Sequence, residues 1–329
     1  MKHMSPMSVL ITFAISWKHS LIFPITVFLV NLDDASVCQL PSYPGFDYAF
    51  NIQTGPIILQ YSEEQQKVFA CGNARKITYG EHECYSLSSG SPKSWEILQK
   101  LTSLSGKITF KDIKSHYLNS FGWLVFGRGE EKNGVITNTS LTKLFAQNKW
   151  NDVPTTIPYE LGYYPKGFCS VQMNNTHVIL LGGSFGNTPT NSAWILDLTD
   201  YTWAKAADML YSDSNSHCFL IDENEVLLSG SRKSQIYNPA SNTWRDGGSY
   251  PLGSEYNKIF LWQNKLLSLR SNSDRIFLMD LSKLGFDSEW GIVLNATLGA
   301  DFNYYYYPHL NPQYRRDTAI LVPRGLFKC

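Results

Sequence analysis

The sequence predicts an all-β fold in which four-stranded sheets repeat around a common axis. Three observations lead there. Apolar runs are short and end at glycines, tryptophans recur at near-regular intervals, and stretches with apolar positions three and four apart are scarce. Composition agrees, because 14% of the 329 residues are aromatic, a bias that favours strands. The formal net charge is zero, which provides no basic field for nucleic acid and is unlike a disordered, highly charged tail.

The elements follow in chain order. "SVLITFAISW" and "LIFPITVFLV" are apolar but split by Lys18-His19. Neither half reaches the roughly 18–20 residues of a membrane span. A basic pair, about ten apolar residues and then "NLDDASVCQ" read as a secretory signal cleaved around residues 30–37, with an uncleaved signal anchor as the rival. Residues 1–37 are therefore expected to be targeting sequence, 38–329 a single domain, and the mature chain free of any stable membrane span. "PGFDYAFNI", Pro44 to Ile52, is expected to be a lone strand.

Units of similar build follow. The segment "VILLGGSFGNTPTNSAWILDLTDYTW", Val178 to Trp203, runs four aliphatics into Gly182-Gly183, crosses a polar loop, returns through "AWILDL" and turns tightly into a tryptophan strand. Four aliphatics before two glycines are too short for a buried helix, so strands fit. Trp203 has counterparts in Trp95, Trp150, Trp244 and Trp290, at successive separations of 55, 53, 41 and 46. Second strands end in Gly72-Asn73, Gly127-Arg128, Gly182-Gly183, Gly230-Ser231 and, in decayed form, Arg270-Ser271. Third strands are "HECYSL", "LTKLFA", "AWILDL", "SQIYNP" and "RIFLMD", and an apolar run such as "GFCSVQM", "SHCFLID" or "KIFLWQ" precedes each second strand. "YSEEQQK" is a solvated turn, while Asp197, Asn238 and Asp280 shape the turns that lead to the tryptophans.

From about Gly55 to the C-terminus this pattern resembles the kelch repeat family, whose motif is a glycine pair, a later aromatic and a tryptophan at the blade edge. The resemblance implies a kelch-type β-propeller. A four-stranded sheet has two apolar faces and cannot bury both alone, and radial packing lets each blade cover its neighbours. Glycine admits a close backbone approach at the second strand, and tryptophan fills the wide outer gap between blades. From residue 44 to the end, six units of about 48 residues fit. The expectation is six blades of four antiparallel strands, the last combining strands from both termini, with "YYYYPHL" and "TAILVP" contributing from the C-terminal side.

Within that frame the six cysteines acquire partners. Cys71 and Cys84 fall on adjacent strands of one blade, where a bond is geometrically reasonable. Cys38 and Cys329 lie at the two ends of the folded region and would staple its closure. Cys169 and Cys218 occupy matching positions in the innermost strands of consecutive blades, as a bonded pair or as two buried thiols. An even cysteine set and sequons at Asn138, Asn174 and Asn295 agree with export, so the protein is expected to be secreted.

No catalytic constellation is recognisable: "GxSxG", "HExxH" and a Walker loop are absent. Propellers resembling galactose oxidase use two histidines and two tyrosines, one crosslinked to cysteine, to hold a copper-radical centre on the axis. The sequence offers His82, His116, His177, His217 and His309 beyond the leader, with Tyr304–Tyr307 beside His309. Pro308 separates Tyr307 from His309, so the adjacent Tyr-His pair of that family is missing. His217 fits better as a hydrogen-bonded blade residue. The expectation is a non-catalytic module without cofactor or metal, binding an extracellular protein or glycan through the second-to-third loops and interblade links of one face. "GRGEEKNGVITNTS", "SFGNTPTNS" and the link holding Tyr304, Tyr305, Tyr306 and Tyr307 lie on that face. The alternative is a propeller-based extracellular enzyme of the copper-radical type.

Overall fold

A computed structural model describes residues 7–13, 25–31, 37–43, 58–73, 81–90, 94–102, 108–131, 140–159, 162–214, 216–222, 225–230, 233–248, 257–262, 265–270, 275–280, 291–295 and 318–323. Every regular element among them is a β-strand.

The strands form antiparallel sheets, each a meander. One holds β1 (Met7–Phe13), β2 (Ile25–Asn31) and β3 (Val37–Tyr43), with β27 (Thr318–Pro323) from the other end of the chain, in the order β27-β1-β2-β3. The next holds β4 (Ile58–Ser62), β5 (Lys67–Asn73), β6 (Glu81–Ser88) and β7 (Glu96–Ile97), with β8 (Leu101–Thr102) also paired to β6. Then come β9 (Ile108–Leu118), β10 (Gly122–Glu131), β11 (Ser140–Ala146) and β12 (Lys149–Asp152). The following sheet runs β13 (Cys169–Gln172), β14 (His177–Leu181), β17 (Ala193–Asp197) and β18 (Thr202–Lys205); the ribbon β15 (Ser184–Phe185) and β16 (Thr188–Pro189) stands in its middle loop. Two further sheets follow: β19 (His217–Asp222), β20 (Glu225–Ser229), β21 (Ser234–Asn238) and β22 (Thr243–Gly248), then β23 (Asn257–Trp262), β24 (Lys265–Arg270), β25 (Arg275–Asp280) and β26 (Gly291–Asn295).

The sheets are arranged as a ring. Strand β4 contacts β9, β9 contacts β13, β13 contacts β19, β19 contacts β23, β23 contacts β27, and β27 returns to β4. The first strand of each meander therefore lines the axis, as a β-propeller requires.

Alternation along the second strands shows how the ring buries two faces at once. In β10, Trp123 and Val125 pack towards Phe69, Cys71 and Cys84 of the preceding blade. Leu124 and Phe126 pack towards Val178 and Leu180 of the following one, and all four are fully buried. In β14, Val178 and Leu180 look back while Ile179 and Leu181 look forward to Val226 and Leu228. Period-two alternation thus delivers every second residue to a different neighbour. At about 25 cal/mol per Å² of apolar area, burying one such side chain is worth roughly 1.5–3 kcal/mol.

The tryptophans bridge blades, and each reaches backward. Trp95 Nε1 donates to Pro41 O (2.9 Å) and Trp150 Nε1 to Gln99 O (3.1 Å). Trp244 Nε1 donates to Ala207 O (2.8 Å), and Trp203 packs on Phe126 of the blade before it and on Tyr164 of the link between the two. Trp290 lies outside the described residues. The turns ahead of the indoles are built as expected. Asp197 Oδ1 accepts from Thr199 N (2.8 Å), Asn238 Oδ1 accepts from Ala240 N (2.9 Å), and Tyr201 and Asn242 adopt positive φ.

The closing blade departs from the expected make-up. Its order β27-β1-β2-β3 draws on both apolar runs read as a leader, and β1 bonds β27 on one edge and β2 on the other. The boundary expected at residue 38 thus falls inside a blade. The strands expected at 44–52 and 304–310 lie outside the described residues.

Among the described residues two disulfides are formed. Cys71 and Cys84 sit directly opposite in the β5–β6 register, with Cα atoms 4.1 Å apart. Cys169 and Cys218, whose state the sequence left open, bond across consecutive inner strands β13 and β19 at a Cα separation of 6.0 Å. The Cys38–Cys329 staple lies outside the described residues.

Candidate binding face

The second-to-third loops and the interblade links meet at one end of the strands, and two glycines decide how closely. Gly182 and Gly183 have φ of 61° and 96°, a conformation costly for any residue with a Cβ. Gly183 N donates to Asp213 O (2.7 Å), in the link to the next blade. A Cβ on Gly183 would press on Pro165 and the Lys166 carbonyl of the link from the previous blade. A Cβ on Gly182 would meet the Asp213 carbonyl, and one on Gly230 would run into the Asp213 carboxylate. What crowds these glycines is therefore the links, with Asp213 wedged between the glycine corners of two blades.

Lys166 and Ser184 exchange backbone hydrogen bonds at 2.8 Å each way, which fixes the first link to the base of the β15–β16 ribbon. Beside it, Phe185 meets Tyr159 and Tyr163 edge-on at 5.5 and 5.4 Å. Burial holds the Tyr159 and Tyr164 phenols well above the ordinary tyrosine range, so both stay neutral, and Tyr164 OH shares a hydrogen with Thr142 Oγ1 (2.6 Å). The ribbon tip, Gly186 to Pro189, is exposed.

One link further on, buried Gln235 holds the chain in place. Its Oε1 accepts from Leu210 N (2.9 Å) and its Nε2 donates to Tyr211 O (2.9 Å). The anchored link presents Leu210, 49% exposed, next to Tyr211. Tyr211 OH donates to Asp246 Oδ2 (3.0 Å), and Lys233 Nζ lies 4.5 Å from the Tyr211 ring centre. Backbone donation from Gly248, with help from Tyr211, holds the Asp246 carboxyl below its usual range. The result is a rigid rim carrying apolar, aromatic and charged groups together.

The sequence-derived candidates distribute unevenly. "SFGNTPTNS" lies on this rim as the β15–β16 ribbon. Tyr304–Tyr307 and most of the loop containing Asn138 lie outside the described residues. Asn295 ends β26, and Asn174 occupies the β13–β14 turn at the opposite end of the strands. Composition and periodicity did not single out Lys166, Tyr211, Asp213, Lys233 or Asp246. The nearest signal was the placement of Lys166, Tyr211 and Asp213 just before first strands and of Lys233 just after a glycine corner; Asp246, inside β22, gave none.

The described histidines do not gather. His116, on β9, meets Ser170 Oγ of β13 at 2.7 Å. Its side chain keeps an edge towards solvent, yet loss of hydration, with the Lys114 charge adding to it, pulls its pKa down to about 4. His177 contacts Asp197 at 3.4 Å on the far face, and His217 opens β19. Among the described residues no three metal-ligating side chains come together, and no helix is long and apolar enough to cross a membrane.

Residues 165–210 match the kelch motif, which covers the sheet β13–β18 and part of each link that flanks it. No curated protein matches the chain. The motif in this sheet and the ring of antiparallel sheets are consistent with a kelch-type β-propeller fold, an arrangement that suggests a propeller-type binding module.

Proposed function

We propose that the chain is an exported, non-catalytic module that binds an extracellular protein or glycan through the rim formed by the β15–β16 ribbon, the Leu210–Tyr211 link, Lys233 and Asp246. The observation that carries the reading is the double anchoring of these links, by Gly183 to Asp213 and by Gln235 to residues 210–211. Exposed groups on a fixed frame lose little conformational entropy on binding, which favours affinity. Tyrosine is enriched in interface centres and can also stack on sugar rings, and Tyr211 is held on the rim with Lys233 against its ring. Two disulfides agree with an oxidising compartment.

The test is capture of ligands from extracellular fluid, alongside a glycan array. Leu210→Arg and Lys233→Glu alter the rim, and Asn175→Arg alters the opposite face as a control. Loss of captured ligand with the rim variants alone supports the proposal. Equal binding by all three proteins, or turnover of a substrate by the purified chain, rejects it.

A further inference from the structure

We propose that Asn174 carries an N-linked glycan, which projects from the face opposite the binding rim and so does not itself obstruct the rim. The inference rests on the export reading above. Asn174-Asn175-Thr176 forms the turn between β13 and β14, where Asn174 and Asn175 are exposed. β14 is five residues long, so this turn stands about 17 Å from Gly182-Gly183 and the rim.

The chemistry of the side chain favours modification there. Asn174 holds the turn entirely through Oδ1, which accepts from Thr176 N (2.8 Å), Thr176 Oγ1 (3.0 Å) and His177 N (2.8 Å), with His177 Nδ1 at 3.1 Å. No hydrogen bond of Nδ2 accompanies them among the described residues. Glycan transfer takes place at Nδ2. A lipid-pyrophosphate oligosaccharide donates its anomeric carbon, an N–C bond replaces one Nδ2–H bond, the proton leaves to a base, and the lipid pyrophosphate departs. Oδ1 stays a carbonyl acceptor, so all of the turn's bonds survive the modification. A side chain held through both of its Nδ2 hydrogens would have lost one of those bonds on accepting the sugar.

The other sequons differ in setting. Asn138 lies outside the described residues, and Asn295 ends a paired strand, opposite Arg275. Asn174 alone combines a described turn, exposure and an amide whose structural work is confined to oxygen.

The experiment uses the full chain expressed through a eukaryotic secretory route. Enzymatic deglycosylation in heavy-oxygen water converts a glycosylated Asn to labelled Asp. The expected result is labelled Asp at residue 174 in protein recovered from the medium. Asn175→Pro, which blocks the sequon while keeping Asn174 and Thr176, should lose one gel-mobility step, and Asn175→Ala should keep it. Secreted protein with unlabelled Asn174 overturns the inference while leaving export standing. Protein retained inside the cell with reduced cysteines overturns the export reading, and the inference with it. The label on the wild-type peptide decides the matter even if Asn175→Pro fails to fold.

Discussion

Removing the Cys169–Cys218 bond should destabilise the propeller more than removing Cys71–Cys84, although the second pair is the more deeply buried. The reason lies in the unfolded chain. The first bond closes a loop of sequence separation 49, the second one of 13. With loop entropy growing as 1.5R ln n, the two are worth about 4 and about 3 kcal/mol at 25 °C. The loops do not overlap, so the effects should add to about 7 kcal/mol. The assay is urea unfolding of Cys169→Ala/Cys218→Ala, Cys71→Ala/Cys84→Ala and the fourfold variant, kept oxidised, beside the wild type. Releasing a cross-link expands the denatured ensemble and exposes more surface, so m should rise along with the fall in midpoint, more for the longer loop. Equal losses for the two pairs, or a loss at constant m, would show that native-state contacts around the sulfurs dominate and would refute the loop argument.

Three further outcomes follow from the geometry. His116 is held near pKa 4 in the fold against about 6.5 unfolded, so the folded state binds fewer protons. Its contribution is complete above pH 6.5 and is lost as pH falls towards 4, by at most ~3 kcal/mol; His116→Gln should flatten the pH dependence of the urea midpoint across that window, and an unchanged slope counts against it. Trp244→Phe forfeits the bond to Ala207 O, whereas Trp203 Nε1 is buried without a partner, so Trp244→Phe should cost about 1 kcal/mol more than Trp203→Phe in thermal melts. Cleavage between residues 30 and 37 would delete β1 and β2, leaving β3 and β27, which run antiparallel and can pair directly. N-terminal sequencing of secreted protein should then begin beyond residue 30, and a mature chain starting upstream of Met7 would refute the leader reading and keep both strands in the closing blade.

Much of the ring was legible because its physics is periodic. A second strand buried on both faces must be short and continuously apolar, and "WLVFG" and "VILLGG" are. The tryptophans announced themselves by spacing, and each described one lies where a blade meets its predecessor. The make-up of the closing blade was not legible. An apolar run of seven to ten residues is the same string whether it serves a translocation channel or a sheet, and only pairing with β27 separates the two.

The rim was hidden for a different reason. Periodicity reports residues that repeat in every unit, whereas a binding surface is made by residues that do not. Asp213 is ordinary in sequence, yet its carbonyl takes the Gly183 amide and its carboxylate fills the space left by the missing side chain of Gly230. The glycine column and the rim are thus one device seen from two sides. At Gly182-Gly183 and Gly230 the repeat clears a space, and the Asp213 that the adjoining link inserts there helps fix the orientation of the exposed residues beside it. The rim should therefore be most firmly set beside β14 and β20, the second strands whose glycines receive Asp213.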